Sequence, residues 1–276
     1  MNDFYMTVDV EDWFHTHNLE PGISRETWDD REFRAEKNTR SILEMFEKHD
    51  VTATFFVLGW VAERAPDLIR DIEAAGHEVA SHGYGHELLY ELSREELRAD
   101  LEHAHDVLSD LVDQPIRGYR APAFSITERA IQELERLGYT YDSSSHDAVV
   151  HDRYRSLDFT SDEVFVTPEE TTMTEAQLST IELLGRNIPW AGGGWFRFIP
   201  YKIFRRGVER ISKRQPYIFY IHPWELDTEQ PSVDGVPLSA RIRHRTNISR
   251  SQSRLDDLLS RFDWKPLAAR FGENGY

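Results

Sequence analysis

The chain contains no cysteine, which excludes disulfides and zinc–thiolate sites and leaves His, Asp and Glu as the metal-holding side chains. Lysine is scarce: apart from Lys37, Lys48, Lys202, Lys213 and Lys265, every basic residue is arginine. Long apolar runs are missing as well. No window approaches the roughly 20 apolar residues that a bilayer-spanning helix needs. Met1–Val10 lacks the basic start and apolar stretch of a secretory leader, so the expected location is cytoplasmic. The formal net charge is -17, with 49 acids against 32 bases. Such a surface argues against nucleic acid or an anionic membrane as partner. It suits a protein kept soluble in strong salt, where self-repulsion is screened.

What is present suits one large α/β domain with a C-terminal tail. The 276 residues include 39% hydrophobic and 12% aromatic side chains, enough for a sizeable core. Strand-like runs at residues 4–10, 51–58, 77–81, 116–119 and 139–141 alternate with helical spacing at 34–49, 65–75, 93–111 and 127–137. That alternation implies βαβ units and a parallel sheet. Residues 185–194 read as a glycine-rich loop, 200–213 as a helix, 216–222 as a strand and 254–262 as an amphipathic helix. Asp227–Ser239, with Pro231, Gly235 and Pro237, reads as a linker. The expected division is a barrel over residues 1–226 and a C-terminal extension over 227–276 packed on it.

Five polar clusters follow successive strand ends. Asp9-Val10-Glu11-Asp12 comes first; strand alternation puts Asp9 and Glu11 on one face, where two like charges call for a cation or a shared proton. His82-x-x-x-His86 can meet one metal from a single turn of chain. His103 and His105, two apart on a helix, cannot, and are expected to be solvated. Arg120-Ala-Pro-Ala-Phe124, Tyr141-Asp142-Ser-Ser and Tyr220-Ile-His222-Pro-Trp224-Glu225 complete the set. In a parallel barrel these ends converge on one mouth.

The order of these motifs resembles the NodB-homology polysaccharide deacetylases, carbohydrate esterase family four. The resemblance runs from Asp9 to about Glu225. It is strongest to a branch with Asp-Val-Glu-Asp, Gly-Tyr-Arg-Ala-Pro, Gly-Gly-Gly-Trp-Phe-Arg and His-Pro-Trp-Glu motifs and a C-terminal extension, associated with exopolysaccharide and glycoconjugate assembly.

The resemblance implies a distorted TIM-like (β/α)7 barrel and a divalent metal, usually Zn2+, held by one acid and two histidines, His82 and His86. Either Glu11 or Asp12 is the acidic ligand: alternation favours Glu11, and a sharp turn after Val10 would present Asp12. It further implies Asp9 as general base, Arg120 holding it, His222 as general acid, and Asp142 tuning the His222 side. Trp13, Phe124, Trp195 and Trp224 are candidate sugar-stacking residues, with Gly192–Phe196 as a flexible aromatic wall. Arg197 is a candidate for a substrate phosphate or carboxylate, and no role is read for His15 or His17. The implied reaction is removal of the N-acetyl group from an N-acetylated sugar in a polysaccharide, lipid-linked or nucleotide-linked glycan. The alternatives are an allantoinase-like hydrolase of a small amide and a catalytically silent carbohydrate-binding relative.

Overall fold

The computed structural model describes residues 3–145 and 163–271. Strand β1 (Phe4–Val10) is buried at every position. A parallel strand covered on both faces reads as a nearly continuous apolar run, and here only Thr7 and Asp9 interrupt it. The chain then alternates α1 (Ala35–Lys48), β2 (Thr54–Val57), α2 (Gly59–Arg64), α3 (Pro66–Ala74), β3 (Glu78–Ser81), α4 (Arg94–Ser109), β4 (Gly118–Tyr119), α5 (Glu128–Leu137) and β5 (Tyr141–Asp142). The helix signals lie where the sequence puts them. Ser93 accepts from the Glu96 N–H while Glu96 accepts from the Ser93 N–H, a capping box that starts α4. Gly138, at φ 89°, closes α5 in the left-handed conformation.

The second half is less regular. It contains β6 (Phe165–Val166), β7 (Thr174–Ala176), the hairpin β8 (Thr180–Leu183) and β9 (Arg186–Pro189), then α6 (Gly193–Phe198), α7 (Tyr201–Ile211), β10 (Tyr217–Ile221), α8 (Leu238–Arg245), α9 (Ile248–Leu259) and β11 (Trp264–Lys265). The strand order is β10-β1-β2-β3-β4-β5-β7-β6, parallel except where β6 runs against β7. Hydrogen bonds continue from this edge through Ser179 and Trp190 to Ala191, whose carbonyl accepts from the Tyr220 N–H of β10 (2.7 Å). A single-residue bridge, Gly192 to Tyr220, follows. The mostly parallel sheet thus curls into a distorted TIM-like (β/α) barrel. Gly192 has φ 139°, and a Cβ there would lie 1.9 Å from the Tyr220 carbonyl oxygen, so only glycine fits this seam.

Three readings change. Residues 185–194 are not a loop: they contain β9 and the start of α6, which also removes the flexible wall proposed for Gly192–Phe196. The last long helix begins at Ile248, not Arg254. Asp227–Ser239 is no free linker, because Val233 and Val236 are buried and the Asp234 backbone lies against Gly22. Pro and Gly there mark turns in a packed segment. The region after Leu226 is also part of the sheet. β11 lies alongside β1, Phe4 facing Trp264, below the segment of β1 that β2 borders. At the closed end of the barrel the Leu267 N–H donates to Thr54 Oγ1 (2.7 Å) and the Ala268 N–H to Glu78 (3.0 Å).

Candidate active site

The mouth forms at the carboxyl ends of β1, β3, β4 and β10. Three ligand-capable groups meet there: Glu11, His82 and His86 place donor atoms within 4.8 Å of one another. Each is prepared for this. Glu11 Oε2 is buried without a hydrogen-bond partner, yet lies 2.8 Å from His86 Nε2. Two such atoms close together without hydrogen-bond geometry point at a common position. Glu11 Oε1 accepts from the Trp224 indole N–H (3.1 Å). His82 Nδ1 is 2.8 Å from the Arg120 carbonyl, which fixes the tautomer and turns Nε2 toward the site. The turn carrying both histidines is fastened from below. Asp100 of α4 accepts from the Tyr84 and Gly85 N–H groups, each at 3.0 Å, and His86 takes a left-handed φ of 55°.

The electrostatics agree. Burial would raise the Glu11 carboxyl, but the His86, His222 and His82 imidazoles hold it well below the usual carboxylate range. Burial, with His86 nearby, brings His82 down to about 4 against the pull of Asp9 and Glu11, so its imidazole is neutral at pH 7 and free to donate a lone pair. A buried carboxylate and two imidazoles form a donor set of the kind that holds zinc. These residues fit a divalent cation.

Two further groups flank the cluster. Asp9 Oδ1 accepts from Arg120 Nη1 (2.7 Å). Arg120 is itself fixed by Thr7 Oγ1 (2.8 Å), by the Ser143 carbonyl (2.8 Å) and hydroxyl (2.9 Å), and by the Phe56 ring, 4.2 Å away. His222 stands beside both acids, its Nε2 3.3 Å from Glu11 Oε1 and 3.8 Å from Asp9 Oδ2. His222 Nδ1 is 2.7 Å from Glu225 Oε1, and Glu225 Oε2 accepts from Arg197 Nε (2.6 Å). Arg197 Nη1 donates to the carbonyls of His244 (2.8 Å) and Thr246 (3.1 Å), at the C-terminal end of α8. Burial disfavours the charged imidazole of His222, but Glu11, Glu225 and Asp9 outweigh it and push it up to about 9. Burial likewise opposes ionisation of Glu225, and Arg197 with His222 brings it down to about 2.

The structure decides between the two candidate acids. Asp12 is not a ligand: its carboxylate accepts from the N–H groups of Trp13 (2.8 Å), Arg34 (2.6 Å) and Ala35 (2.7 Å), so it caps a short turn and the start of α1. Asp142 also departs from its expected role. It is buried beside Glu175 and accepts from the Ser144 hydroxyl (2.7 Å); Glu225 is the acid on His222. Arg197 is committed to Glu225 and cannot bind substrate. Trp13 is core, 2% exposed. Trp224 lies between the rings of His222 and His244, which suits a prop for Glu11 better than a sugar platform. Phe124 and Trp195 are half-buried. Phe124, at φ 58°, sits edge-on to Tyr220, itself edge-on to His222. His103 stacks on Tyr84 and meets Glu63, and His105 packs on Tyr139, so neither is simply solvated. His15, given no role, is buried 6.2 Å ring to ring from His86, and His17 pairs with Glu20. Glu175, and the pairing of Glu225 with Arg197, which the sequence offered as a substrate contact, are what spacing did not single out. The Glu of His-Pro-Trp-Glu, three residues past His222, was the one available signal.

Comparison with known proteins places this geometry. Residues 23–141 match the polysaccharide deacetylase family, and residues 144–271 match a domain of unknown function, DUF3473. A chitin deacetylase of Colletotrichum lindemuthianum is 34% identical over 125 residues, 44% of this chain and 49% of that protein. A peptidoglycan-N-acetylglucosamine deacetylase of Bacillus cereus is 31% identical over 94 residues, 34% of each. The chain spans between a third and a half of the length of these curated relatives. Among solved structures, one described as a polysaccharide deacetylase from Mycobacterium smegmatis aligns over 99% of this chain and 89% of its own, with TM-score 0.64 and 20% identity. A CE4 family pseudoenzyme from Bacillus anthracis aligns over 97% and 64%, with TM-score 0.52 and 14% identity. The fold alone therefore does not establish catalysis; the residues at the mouth must carry that argument.

Proposed function

We propose that this chain, whose residues 23–141 match the polysaccharide deacetylase family and whose residues 144–271 match DUF3473, is a metal-dependent hydrolase removing the acetyl group from an N-acetylated sugar of a glycan. The observation that carries this reading is the convergence of Glu11, His82 and His86 between Asp9 and His222. This grouping supports the reading because it offers a candidate for each part that hydrolysis of an unactivated amide requires: a cation site, a base and an acid.

A divalent cation held by Glu11, His82 and His86, zinc by the nature of the donors, would polarise the acetyl carbonyl and lower the pKa of the attacking water. Asp9, oriented by Arg120, takes the proton from that water. His222, aimed by Glu225, gives a proton to the departing sugar amine. A base and an acid at one mouth allow a tetrahedral adduct to form as the water loses its proton and to collapse toward acetate and free amine as the nitrogen gains one. Arg120, at hydrogen-bond distance from Asp9, fixes its direction.

The test is metal content of the purified chain together with acetate release from N-acetylglucosamine oligomers and nucleotide-linked N-acetyl sugars. About one zinc per chain with metal-dependent acetate release is the expected result. Stoichiometric metal without acetate from any sugar would move the reading to an allantoinase-like small-amide hydrolase. Failure to bind metal under any condition would leave a carbohydrate-binding protein on this fold.

A further inference from the structure

The acidity of the whole chain hides one stretch of opposite character. Residues 235–255 contain no Asp or Glu, yet hold Arg241, Arg243, Arg245, Arg250 and Arg254. At the chain's average a stretch of that length would carry about four acids. Arg254 is buried against the Phe196 and Arg197 carbonyls. Arg241, Arg243 and Arg250 are exposed and make no side-chain ion pair among the described residues, in a protein where acids outnumber bases.

The helix bearing most of them, α8, is turned inside out. Its one buried residue is His244. Leu238 and Ile242 are 64% and 58% exposed. At 100° per residue these two share a face, centred opposite His244. Arg241 and Arg245 fall on one flank of that face and Arg243 on the other. An apolar centre between arginine flanks on a helix that packs by its polar histidine matches a segment lying in a membrane interface. The helix is tied to the active site by its inner side: His244 lies flat on Trp224, 4.4 Å and 15° between rings, and Trp224 donates to Glu11.

We propose that the outward face of α8 seats the protein on an anionic lipid surface. The arginines take head-group phosphates, and Leu238 and Ile242 enter the boundary of the acyl chains. The net charge of -17 argues against an anionic membrane for the surface as a whole, but acids more than about 10 Å from α8 are screened at moderate salt, so this arginine-rich stretch departs from that expectation. The inference does not depend on the deacetylase reading. Combined with it, the barrel mouth would face glycans carried at a lipid surface.

The experiment is co-sedimentation of the full chain with vesicles of phosphatidylglycerol and phosphatidylcholine, and with phosphatidylcholine alone, at about 0.1 M salt. Binding to the anionic vesicles only is expected, with loss at 1 M salt. The pair Arg241→Glu/Arg243→Glu, and separately Leu238→Ser/Ile242→Ser, should each lower the bound fraction at least about tenfold. Near-ultraviolet circular dichroism should stay unchanged, since the four side chains have no core contacts to lose. No wild-type binding to anionic vesicles, equal binding to phosphatidylcholine, or full binding by either variant would overturn the proposal. So would displacement by millimolar inorganic pyrophosphate, which would identify a site for free phosphate.

Discussion

Asp12 and Glu11 are adjacent acids with unlike tasks, and single substitutions separate them. Glu11→Gln should cut metal affinity steeply, because it removes one of three ligands, whereas Asp12→Asn should leave metal stoichiometry intact. Asp12→Asn should instead lower stability by about 1–3 kcal/mol, since three backbone N–H groups lose a charged acceptor. Metal analysis and denaturant titration on both variants check this. His82→Ala should lose metal and turnover together, while His222→Ala should keep metal and lose turnover. A near-wild-type rate for His222→Ala would refute its role as the acid. Glu225 acts through His222. Glu225→Gln should lower kcat by about 10²–10⁴-fold, the range seen when an imidazole loses its orienting carboxylate. KM and bound metal should change little, and Glu225→Asp should restore part of the rate. A merely structural role would instead lower the melting temperature without that split between kcat and KM. Asp9, His82, His86, Arg120 and His222 were legible in the sequence because strand ends announce themselves by an apolar run that stops. The pairing of Glu225 with Arg197 was not, because a buried ion pair is defined by what packs on it, and nothing local to Arg197 says that the end of α8 will cover it.

At the scale of elements, the starts of β2 and β3 are joined by His77. Its Nδ1 accepts from the Ala53 N–H (3.2 Å), and its ring packs on Phe46 and Phe55. Burial brings its pKa down to about 4 from the ordinary 6.5. The folded state therefore resists a proton that the unfolded chain accepts. The stability this gives is complete above pH 6.5 and is lost as pH falls toward 4, with a limit of about 3 kcal/mol from the width of that window. His77→Asn should flatten the slope of unfolding free energy against pH between 6.5 and 4, measured by urea titration at several pH values. The helices were readable here because caps and breakers such as Ser93, Pro66 and Gly138 are local. The seam at Ala191–Gly192 was not. Three consecutive glycines read as a flexible loop until the Tyr220 carbonyl is seen lying where a Cβ would go.

At the scale of the molecule, the family boundary and the physical one do not coincide. The polysaccharide deacetylase match ends at residue 141 and includes His82, His86 and Arg120. His222, the proposed acid, its partner Glu225 and the brace Arg197 all fall within the domain of unknown function. Neither half holds a complete site. The sheet is shared in the same way: β10 pairs along β1 from Phe4 to Val8, and β11 takes the lower part of the other edge of β1. A chain ending after Leu226 would keep every residue assigned to catalysis. It would still lose β11, the Thr54 and Glu78 contacts that close the barrel, and the α8 carbonyls that hold Arg197. Arg197 and Glu225, 3% and 0% exposed, would then face each other with one partner's remaining donors unmet, a buried arrangement that costs several kcal/mol. The full chain should therefore unfold in one transition followed alike by tryptophan fluorescence and circular dichroism. The truncated chain should show no cooperative transition and no metal uptake. If the truncated chain instead melted cooperatively with zinc bound, the region after Leu226 would be an accessory to a barrel that stands without it, and the shared-sheet argument would fail.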